Sequence, residues 1–500
     1  MHKGRTFDRR NSRVLLVALA RLGFILWASL GVRLAWAEHP IAAAMPGKPL
    51  LMTGAYELGL LGYEATEFSM AGAAVSYRET GKPSDHEAAR AQTQPYKSRV
   101  VVIKPLAPSA FNGTVVVEWF NVSGGLDVPV EWITAHRELV RSGYAYVGVS
   151  AQAVGVEGGP SFDGKATPLK AADPARYGTL SHPGDAYAFD IFSDAGRLLR
   201  SGQSSLLLGP LSPKHVLAVG ESQSAMYLAS YVNAVDPLAK VYDGFLIHSR
   251  PGVVASLDGT SLLNATPERL NEAVALRADL RVPVLQVVTE TDVTQLRTRI
   301  GFYAARQLDT DNLRTWEIAG AAHADNYIFR VGAIDVPGAK TDQLTAAWAP
   351  TTAMMGQALT KPMNNGPQQH YVVEAALYHL NAWVNGGQAP ARAQPLALRD
   401  GTPPSLLLDE EGNARGGVRT PWVDVPISAL SGIKSSELGG LVGSSSPYDS
   451  DTLRRLYPGG KSEYLKRFDS SLDTAIEGGF LLPSDRAEIR ALASAGFPSQ

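Results

Sequence analysis

The chain has 500 residues, of which 45% are hydrophobic and 19% are charged, and its formal net charge is -2. This composition supports a large folded core, and the lack of a basic excess argues against nucleic acid as a partner. The sequence contains no cysteine, which excludes disulfide bonds and thiolate chemistry.

The N-terminus has the pattern of an export signal. Basic residues come first, an apolar stretch follows, and Ala35-Trp36-Ala37 matches a small-residue cleavage site. The alternative is an uncleaved anchor, but the longest uncharged run, residues 22–32, is too short to cross a bilayer unaided. We therefore expect residues 1–37 to be a cleaved signal peptide. The mature protein is expected in the periplasm or outside the cell, without stable membrane insertion.

Apolar strands alternate with helical segments along the chain that follows. Alternating apolar residues at 56–77 predict early antiparallel strands. Helices are predicted at 131–142 and 185–199, and the predicted strands are 98–104, 113–120, 144–149 and 241–248. This alternation predicts an α/β fold whose sheet is mainly parallel and has helices on both faces.

Two loops in this region are candidates for a binding site. The segment 121–125 (Asn-Val-Ser-Gly-Gly) follows the strand predicted at 113–120, although its Gly-Gly pair fits a plain turn equally well. Residues 152–184 are long, rich in Gly and Pro, and without clear periodicity. We expect them either to form a pocket wall, with Tyr177 and His182 near the substrate, or to be a solvated loop.

The run 215–225 (His-Val-Leu-Ala-Val-Gly-Glu-Ser-Gln-Ser-Ala) places Ser222 between a short apolar strand and a helix-like stretch. A strand–turn–helix elbow of this kind exposes a serine hydroxyl to a substrate. The turn needs small flanking residues, and Gly220 and Ser224 supply them. Taken alone, the motif also fits an ordinary turn in which Ser222 caps a helix.

The groups that would activate a nucleophilic serine follow later in the chain. Residues 281–288 predict a buried strand, and an acidic segment comes directly after it. A helix-like segment at 296–307 leads to a strand at 313–318 and then to a small-residue loop that contains His323. Serine, acid and histidine in this order, each at a strand end, are typical of a hydrolase triad.

The acidic segment, Thr-Glu-Thr-Asp at 289–292, leaves the identity of the triad acid open. Asp292 fits the usual position best, because it comes just after the strand. Glu290 is the alternative, since either carboxylate can orient an imidazole. Asp325 is a poorer third option and fits a turn cap better.

The other histidines suggest no metal site. His248 ends a predicted strand and is expected to be structural. The sequence contains no His, Asp and Glu cluster with metal-ligand spacing such as H-E-x-x-H. We therefore predict no catalytic metal and no cofactor.

After His323, about a third of the chain remains. One helix is predicted at 371–384, and short helices are predicted at 451–457, 462–468 and 484–493. Because no long polar linker separates this part, we expect residues 38–500 to form one domain. Its core would span about 56–390, with a C-terminal extension at about 391–500 packed against it.

These motifs resemble the α/β-hydrolase superfamily. Gly-Glu-Ser-Gln-Ser-Ala at 220–225, Thr-Glu-Thr-Asp at 289–292, the loop at 121–125 and the segment 409–421 are similar to a family of secreted bacterial α/β-hydrolase-domain proteins. The similarity runs from about Tyr56 to the C-terminus, and members of that family are regarded as esterases. In this fold two backbone N–H groups form the oxyanion hole. That assigns them to Gln223 and to Asn121 or Val122.

The resemblance and the residue order imply a serine hydrolase that cleaves a carboxylic ester through an acyl-enzyme, with Ser222, His323 and Asp292 as the triad. The substrate would be a small-molecule or glycan ester. The same triad also supports amide, thioester or carbon–carbon hydrolysis. A non-catalytic binding protein on a hydrolase scaffold is the remaining alternative, and the oligomeric state is not encoded in any motif.

Overall fold

The computed structural model describes Met1 and residues 39–162, 164–296, 299–354, 356–433 and 440–498. The expected signal peptide, apart from Met1, lies outside the described residues, so the expectation of export stays a prediction. Within the described ranges, no helix combines the length and the apolar character that crossing a membrane requires.

A nine-stranded sheet occupies the centre of the described structure. Its strands in chain order are β1 Ile41–Ala44, β2 Tyr63–Glu79, β3 Ala88–Pro105, β4 Thr114–Trp119, β5 Ala145–Val149, β6 His215–Glu221, β7 Gly244–His248, β8 Val284–Thr289 and β9 Leu313–Ile318. The spatial order is β1-β2-β3-β5-β4-β6-β7-β8-β9. The first three strands and β5 pair antiparallel, and all pairs from β5 to β9 are parallel. The predicted mainly parallel sheet with N-terminal antiparallel strands is confirmed.

Helices cover both faces of this sheet. Those of seven residues or more are α1 Val130–Arg141, α2 Ala188–Leu199, α3 Gln223–Ser230, α4 Thr341–Trp348, α5 Gln368–Val384, α6 Ser450–Leu456, α7 Gly460–Glu477 and α8 Arg486–Gly496. Single helical turns lie between them, at Ala153–Val156, Leu169–Ala172, Pro174–Tyr177, Ser204–Leu208, Asp236–Ala239, Pro267–Leu270, Glu290–Thr294 and Pro421–Asp424. Four small antiparallel pairs lie outside the main sheet, at Gln295–Leu296 with Arg299–Ile300, Ala353–Met354 with Gln357–Ala358, Leu398–Arg399 with Ser405–Leu406, and Ser428–Ser431 with Ser444–Pro447.

The helix predicted at 296–307 is wrong for the described residues. Arg299–Ile300 is a short strand, and Phe302–Ala305 is a single 3-10 turn. Between them, a Cβ on Gly301 would lie 2.2 Å from the carbonyl oxygen of Thr294. The chain therefore crosses directly over the preceding helical turn, which leaves no room for a long helix there.

Alternate side chains of the buried strands point to opposite faces and build two separate hydrophobic clusters. In β4, Val115 and Val117 belong to the cluster that contains α2, whereas Val116 belongs to the cluster that contains α1 and α5. A continuous apolar strand is expected where both faces of a sheet are covered. This explains the Val-Val-Val run in β4.

The C-terminal extension shares the second of these clusters. Phe468 in α7 and Ile489 in α8 are fully buried in the same cluster as Trp132 of α1. Ion pairs reinforce the contact: the guanidinium of Arg141 in α1 bonds both Glu374 in α5 and the carboxylate of Asp485 just before α8. The described part of the extension is therefore packed against the sheet domain at several positions rather than held at one point.

Candidate active site

Ser222 lies at a sharp turn between β6 and α3. Its backbone has φ 59° and ψ -114°, a region that non-glycine residues rarely occupy and that costs free energy to maintain. The N–H of Ser222 donates to the carbonyl oxygen of His248, at the end of β7, over 2.9 Å. The strained residue is thus held by the neighbouring strand, as a nucleophile elbow requires.

Small residues on both sides make this turn possible. A Cβ on Gly220 would lie 3.0 Å from the Cβ of Ser224 and 3.1 Å from Cδ1 of Leu228. Ser224 is itself fully buried against β6. A larger side chain at either position would push strand and helix apart, so the Gly-x-Ser-x-Ser pattern follows from local packing.

The structure brings Ser222, His323 and Asp292 into one hydrogen-bonded line. Nε2 of His323 lies 2.8 Å from Oγ of Ser222, and Nδ1 of the same ring lies 2.6 Å from Oδ1 of Asp292. The three residues come from the ends of β6, β9 and β8, which all finish at the same edge of the sheet. All three are buried, with Ser222 7% exposed at the floor of a cleft.

Asp292 is itself held in place. Its second oxygen, Oδ2, accepts the N–H of Thr289 over 2.8 Å and the hydroxyl of Thr289 over 2.7 Å. These two bonds point the free edge of the carboxylate at His323. An acid oriented in this way fixes the tautomer of the imidazole and stabilises its protonated form.

The two alternative acids have other partners. Glu290 accepts the N–H of Gly320 over 2.6 Å and the N–H of Gly432 over 2.8 Å. Asp325 accepts the N–H groups of Tyr327 and Ile328, as a turn cap does. Hydrogen bonding to the imidazole therefore favours Asp292.

The oxyanion donors are placed differently from the sequence expectation in one respect. The N–H of Asn121 donates to the carbonyl oxygen of Val128 over 3.1 Å, so it is engaged within its own loop and is a poor choice as a donor. The N–H of Val122 instead points to the elbow and donates to Oε1 of Gln223 over 3.2 Å. Gln223 opens α3, where the first N–H groups have no partner within the helix. The geometry therefore favours Val122 and Gln223.

The cleft over Ser222 is lined by both apolar and polar side chains. Its walls come from several parts of the chain: the 121–125 loop with α3, the long segment after β5, and the loops near residues 261, 299, 323 and 441. The lining residues are Val122, Ser123, Val154, Pro160, Phe162, Asp185, Ser222, Gln223, Met226, Ser261, Leu262, Leu263, Arg299, His323 and Leu441.

The segment 152–184 thus contributes a wall, but not through the two residues expected to touch substrate. Tyr177 is fully buried and donates its hydroxyl to Glu67 over 3.0 Å. His182 is also buried, and its Nε2 lies 2.8 Å from the carbonyl oxygen of Ala151. The parts of the segment that reach the cleft are Val154, Pro160 and Phe162.

Sequence reasoning missed a group of buried carboxyls behind the elbow. Oε1 of Glu221 lies 3.5 Å from Nε2 of His323, and Oε2 accepts the side-chain amide of Asn121 over 3.1 Å. Burial, reinforced by the nearby Glu131, raises the pKa of Glu221 well above its usual range. Burial likewise raises the pKa of Glu118 to about 8. The signal in the sequence was an acid in an otherwise apolar strand end, at 118 and at 221.

His248 is structural in character, as the sequence analysis expected. It is fully buried at the end of β7, and its Nδ1 lies 3.1 Å from Oε1 of Glu131. Among the described residues, no group of three or more His, Cys, Asp or Glu side chains is arranged to hold a metal ion.

Comparison with known families decides the superfamily. A family model described as "Alpha/beta hydrolase domain" matches residues 37–491. The chain belongs to this α/β-hydrolase family. No curated protein matches the sequence.

Solved structures similar to this α/β-hydrolase chain include esterases. An esterase of the fungus Rhizomucor miehei is 12% identical, with a TM-score of 0.26, and the match covers 55% of this chain and 82% of that one. For the Pyrococcus furiosus esterase Pf2001 the identity is 12%, the TM-score 0.28 and the coverage 54% and 87%. A thermostable esterase from Pseudomonas putida is 13% identical, with a TM-score of 0.24 and coverage of 49% and 74%. These values are too low to bear on the reaction.

Proposed function

We propose that this α/β-hydrolase is a serine esterase that hydrolyses a carboxylic ester through an acyl-enzyme. One observation carries the proposal: the continuous hydrogen-bonded line from Ser222 through His323 to Asp292 at the floor of a cleft. A serine hydroxyl becomes a useful nucleophile only when an oriented base accepts its proton. This geometry supports His323 as that base and Asp292 as the group that orients it.

The proposed reaction has two half-reactions. Oγ of Ser222 attacks the ester carbonyl while Nε2 of His323 accepts the hydroxyl proton. The tetrahedral oxyanion receives hydrogen bonds from the N–H groups of Val122 and Gln223. It then collapses as the imidazolium gives its proton to the departing alcohol. Water repeats the sequence on the acyl-enzyme and releases the carboxylic acid and free Ser222.

The side chain of Gln223 must move for this reaction to occur. In the structure its Oε1 accepts the N–H of Val122 over 3.2 Å. A substrate carbonyl oxygen would take over this bond, because the oxyanion of the intermediate is the stronger acceptor. The resting contact therefore marks where the substrate oxygen is proposed to bind.

The proposal is tested with the Ser222→Ala variant and p-nitrophenyl acetate. Loss of turnover is expected, because no nucleophile remains. Ser224→Ala is the matched control: it removes a hydroxyl two residues away, keeps a small side chain at the elbow and is expected to retain activity. Turnover by Ser222→Ala at the wild-type rate would contradict the proposal. Comparing p-nitrophenyl acetate with p-nitroacetanilide separates ester from amide hydrolysis.

A further inference from the structure

The loop that carries His323 is tied to residues far from it in the sequence. The N–H of His323 donates to Oγ1 of Thr291 over 3.1 Å. The same hydroxyl donates to the carbonyl oxygen of Gly432, in the C-terminal extension. Thr291, 2% exposed, therefore links the backbone of the histidine to the extension through a single oxygen atom.

Glu290 makes a second, parallel link. Its Oε1 accepts the N–H of Gly320, three residues before His323, and its Oε2 accepts the N–H of Gly432. A buried carboxylate with two backbone N–H partners is strongly held, since each bond is charge-assisted. Both polar groups of Gly432 are thus bonded to the acid segment.

Gly432 can make these contacts because it has no side chain. A Cβ at this position would lie 2.4 Å from the carbonyl oxygen of Ala321 and 2.7 Å from the Cβ of Glu290. The backbone of the extension therefore lies directly against the histidine loop. Gly432 is 142 residues along the chain from Glu290, so no local sequence preference produces this contact.

We propose that Glu290, Thr291 and Gly432 form a clamp that positions His323 for proton transfer, and that the C-terminal extension takes part in catalysis through Gly432. The inference rests on the proposed esterase function. Asp292 orients the imidazole ring, whereas the clamp fixes the backbone from which the ring projects. All three clamp residues are positioning residues, because each acts through His323 and none lines the cleft.

A small displacement of the histidine loop is expected to matter. A shift of about 1 Å in a reacting group can cost about 10²-fold in rate. Because the clamp residues do not line the cleft, loss of the clamp should lower kcat and leave KM unchanged. A purely structural role would instead lower the melting temperature and the amount of folded protein while leaving kcat per folded molecule intact.

The first test compares Thr291→Val with Thr291→Ser in the full-length protein, with p-nitrophenyl acetate as substrate. Valine has nearly the shape of threonine but cannot accept the N–H of His323, so kcat should fall by about 10²-fold. Serine keeps the hydroxyl and should restore most of the rate. The rate of labelling by a fluorophosphonate should follow kcat, because labelling depends on the same activated serine.

The second test places a methyl group at Gly432. Gly432→Ala should lower kcat about as much as Thr291→Val, because the new Cβ meets Ala321. Gly496→Ala is the matched control in the same extension: its Cβ would have its nearest neighbour at 3.9 Å, Cδ1 of Ile427. That variant should retain the wild-type kcat. Melting temperature and kcat per labelled active site are measured for both variants. A poorly folding variant therefore still yields a kcat for its folded fraction.

Each result has a defined meaning. Reduced kcat in Thr291→Val and Gly432→Ala, with rescue by serine and an active Gly496→Ala, supports the clamp. Wild-type kcat in both of these variants overturns it, even if Ser222→Ala is inactive and the esterase proposal stands. If Ser222→Ala remains active, the proposed function itself fails.

The Glu290→Gln variant separates positioning from triad chemistry. An amide keeps one acceptor oxygen and loses the other, so one N–H group is left unpaired and a loss of about 10²-fold is expected. If Glu290 were the triad acid, the loss would be about 10⁴-fold and Asp292→Asn would be nearly as active as the wild type. That pair of results would overturn the assignment of Glu290 to the clamp.

Discussion

The serine elbow and the histidine loop meet at the same cleft, but they are held in different ways. The elbow is shaped mainly by residues within its own motif: Gly220 and Ser224 allow strand and helix to approach on either side of Ser222. The backbone of Ser222 is also held from outside the motif, because its N–H donates to the carbonyl oxygen of His248 at the end of β7. The loop of His323 is held from outside, by Glu290 and Thr291 after β8, and by the C-terminal extension.

The extension contacts the histidine loop at more than one point. Besides Gly432, the carbonyl oxygen of Leu441 accepts the N–H of Ala324 over 3.0 Å. The side-chain amide of Asn364 donates hydrogen bonds to the carbonyl oxygens of Gly320 and Ser431. The proposed nucleophile is thus positioned mainly by local packing, whereas the proposed base is positioned mainly by contacts with distant parts of the chain. Damage to the extension should therefore affect the base and spare the elbow.

The largest predicted effect comes from removing His323, the proposed base. His323→Ala should lower kcat by on the order of 10⁶-fold, comparable to loss of the nucleophile, since serine and histidine act as one unit. The elbow should remain intact, so circular dichroism and melting temperature should change little. Steady-state turnover of p-nitrophenyl acetate is the measurement. A loss of less than tenfold would show that another group accepts the proton.

The next largest effect is expected for Asp292→Asn. The amide keeps the size of the side chain but favours the wrong tautomer of His323, which should cost about 10⁴-fold in kcat. The N–H and the hydroxyl of Thr289 could still donate to the amide oxygen of the new side chain. Kinetics of Asp292→Asn and Glu290→Gln measured side by side decide between the two carboxylates, and equal losses would contradict the division of roles.

Gly220→Val is expected to disrupt the elbow from within its own motif. Overpacking against Ser224 and Leu228 should destabilise the protein by about 1–3 kcal/mol and, by moving Ser222, lower kcat by about 10²-fold. Gly202→Val is the control, since a Cβ there meets no atom within 4 Å. Urea unfolding and turnover measure the two effects. If Gly220→Val behaves like its control, small size at 220 is not what shapes the elbow.

The smallest predicted effect concerns pH and the histidine loop. Burial raises the pKa of Asp325 from 3.8 to about 7. Between these values the folded state holds a proton that the unfolded chain has released. The contribution of Asp325 to stability is therefore complete below about pH 4 and is lost as the pH rises to about 7.

Asp325→Asn should remove this dependence, because the amide cannot ionise and still offers an oxygen to the N–H groups of Tyr327 and Ile328. The melting temperature of the wild type, relative to that of the variant, should fall as the pH rises from about 4 to about 7. Thermal unfolding of both proteins across this range is the measurement. Parallel curves would show that Asp325 does not titrate in the folded protein.

Much of the fold could be predicted from the sequence. The strand predicted at 313–318 agrees with β9, and the helix at 131–142 is displaced by one residue from α1. Both have strong periodicity and clear ends. The helix predicted at 462–468 is too short, since α7 extends from Gly460 to Glu477. Its buried residues keep the helical spacing beyond 468, at Leu472 and Ala475, so the local pattern supports a longer helix than the one predicted.

The candidate active site shows the limit of sequence-based prediction. The positions of Ser222, Asp292 and His323 follow from strand ends and chain order, which the sequence displays. The preference for Val122 over Asn121 as an N–H donor depends on a bond from Asn121 to Val128 across the loop. The position of Glu290 depends on Gly432, far away in the chain. Contacts of this kind have no local signature.

The central claim, that Ser222 is the activated nucleophile, is tested most directly by active-site labelling. Full-length protein is treated with a fluorophosphonate, and the site of the adduct is mapped by peptide mass spectrometry. A single adduct on Ser222, absent in His323→Ala under the same conditions, is the expected result. Either an adduct on a different residue or equal labelling of Ser222 without His323 would contradict the account.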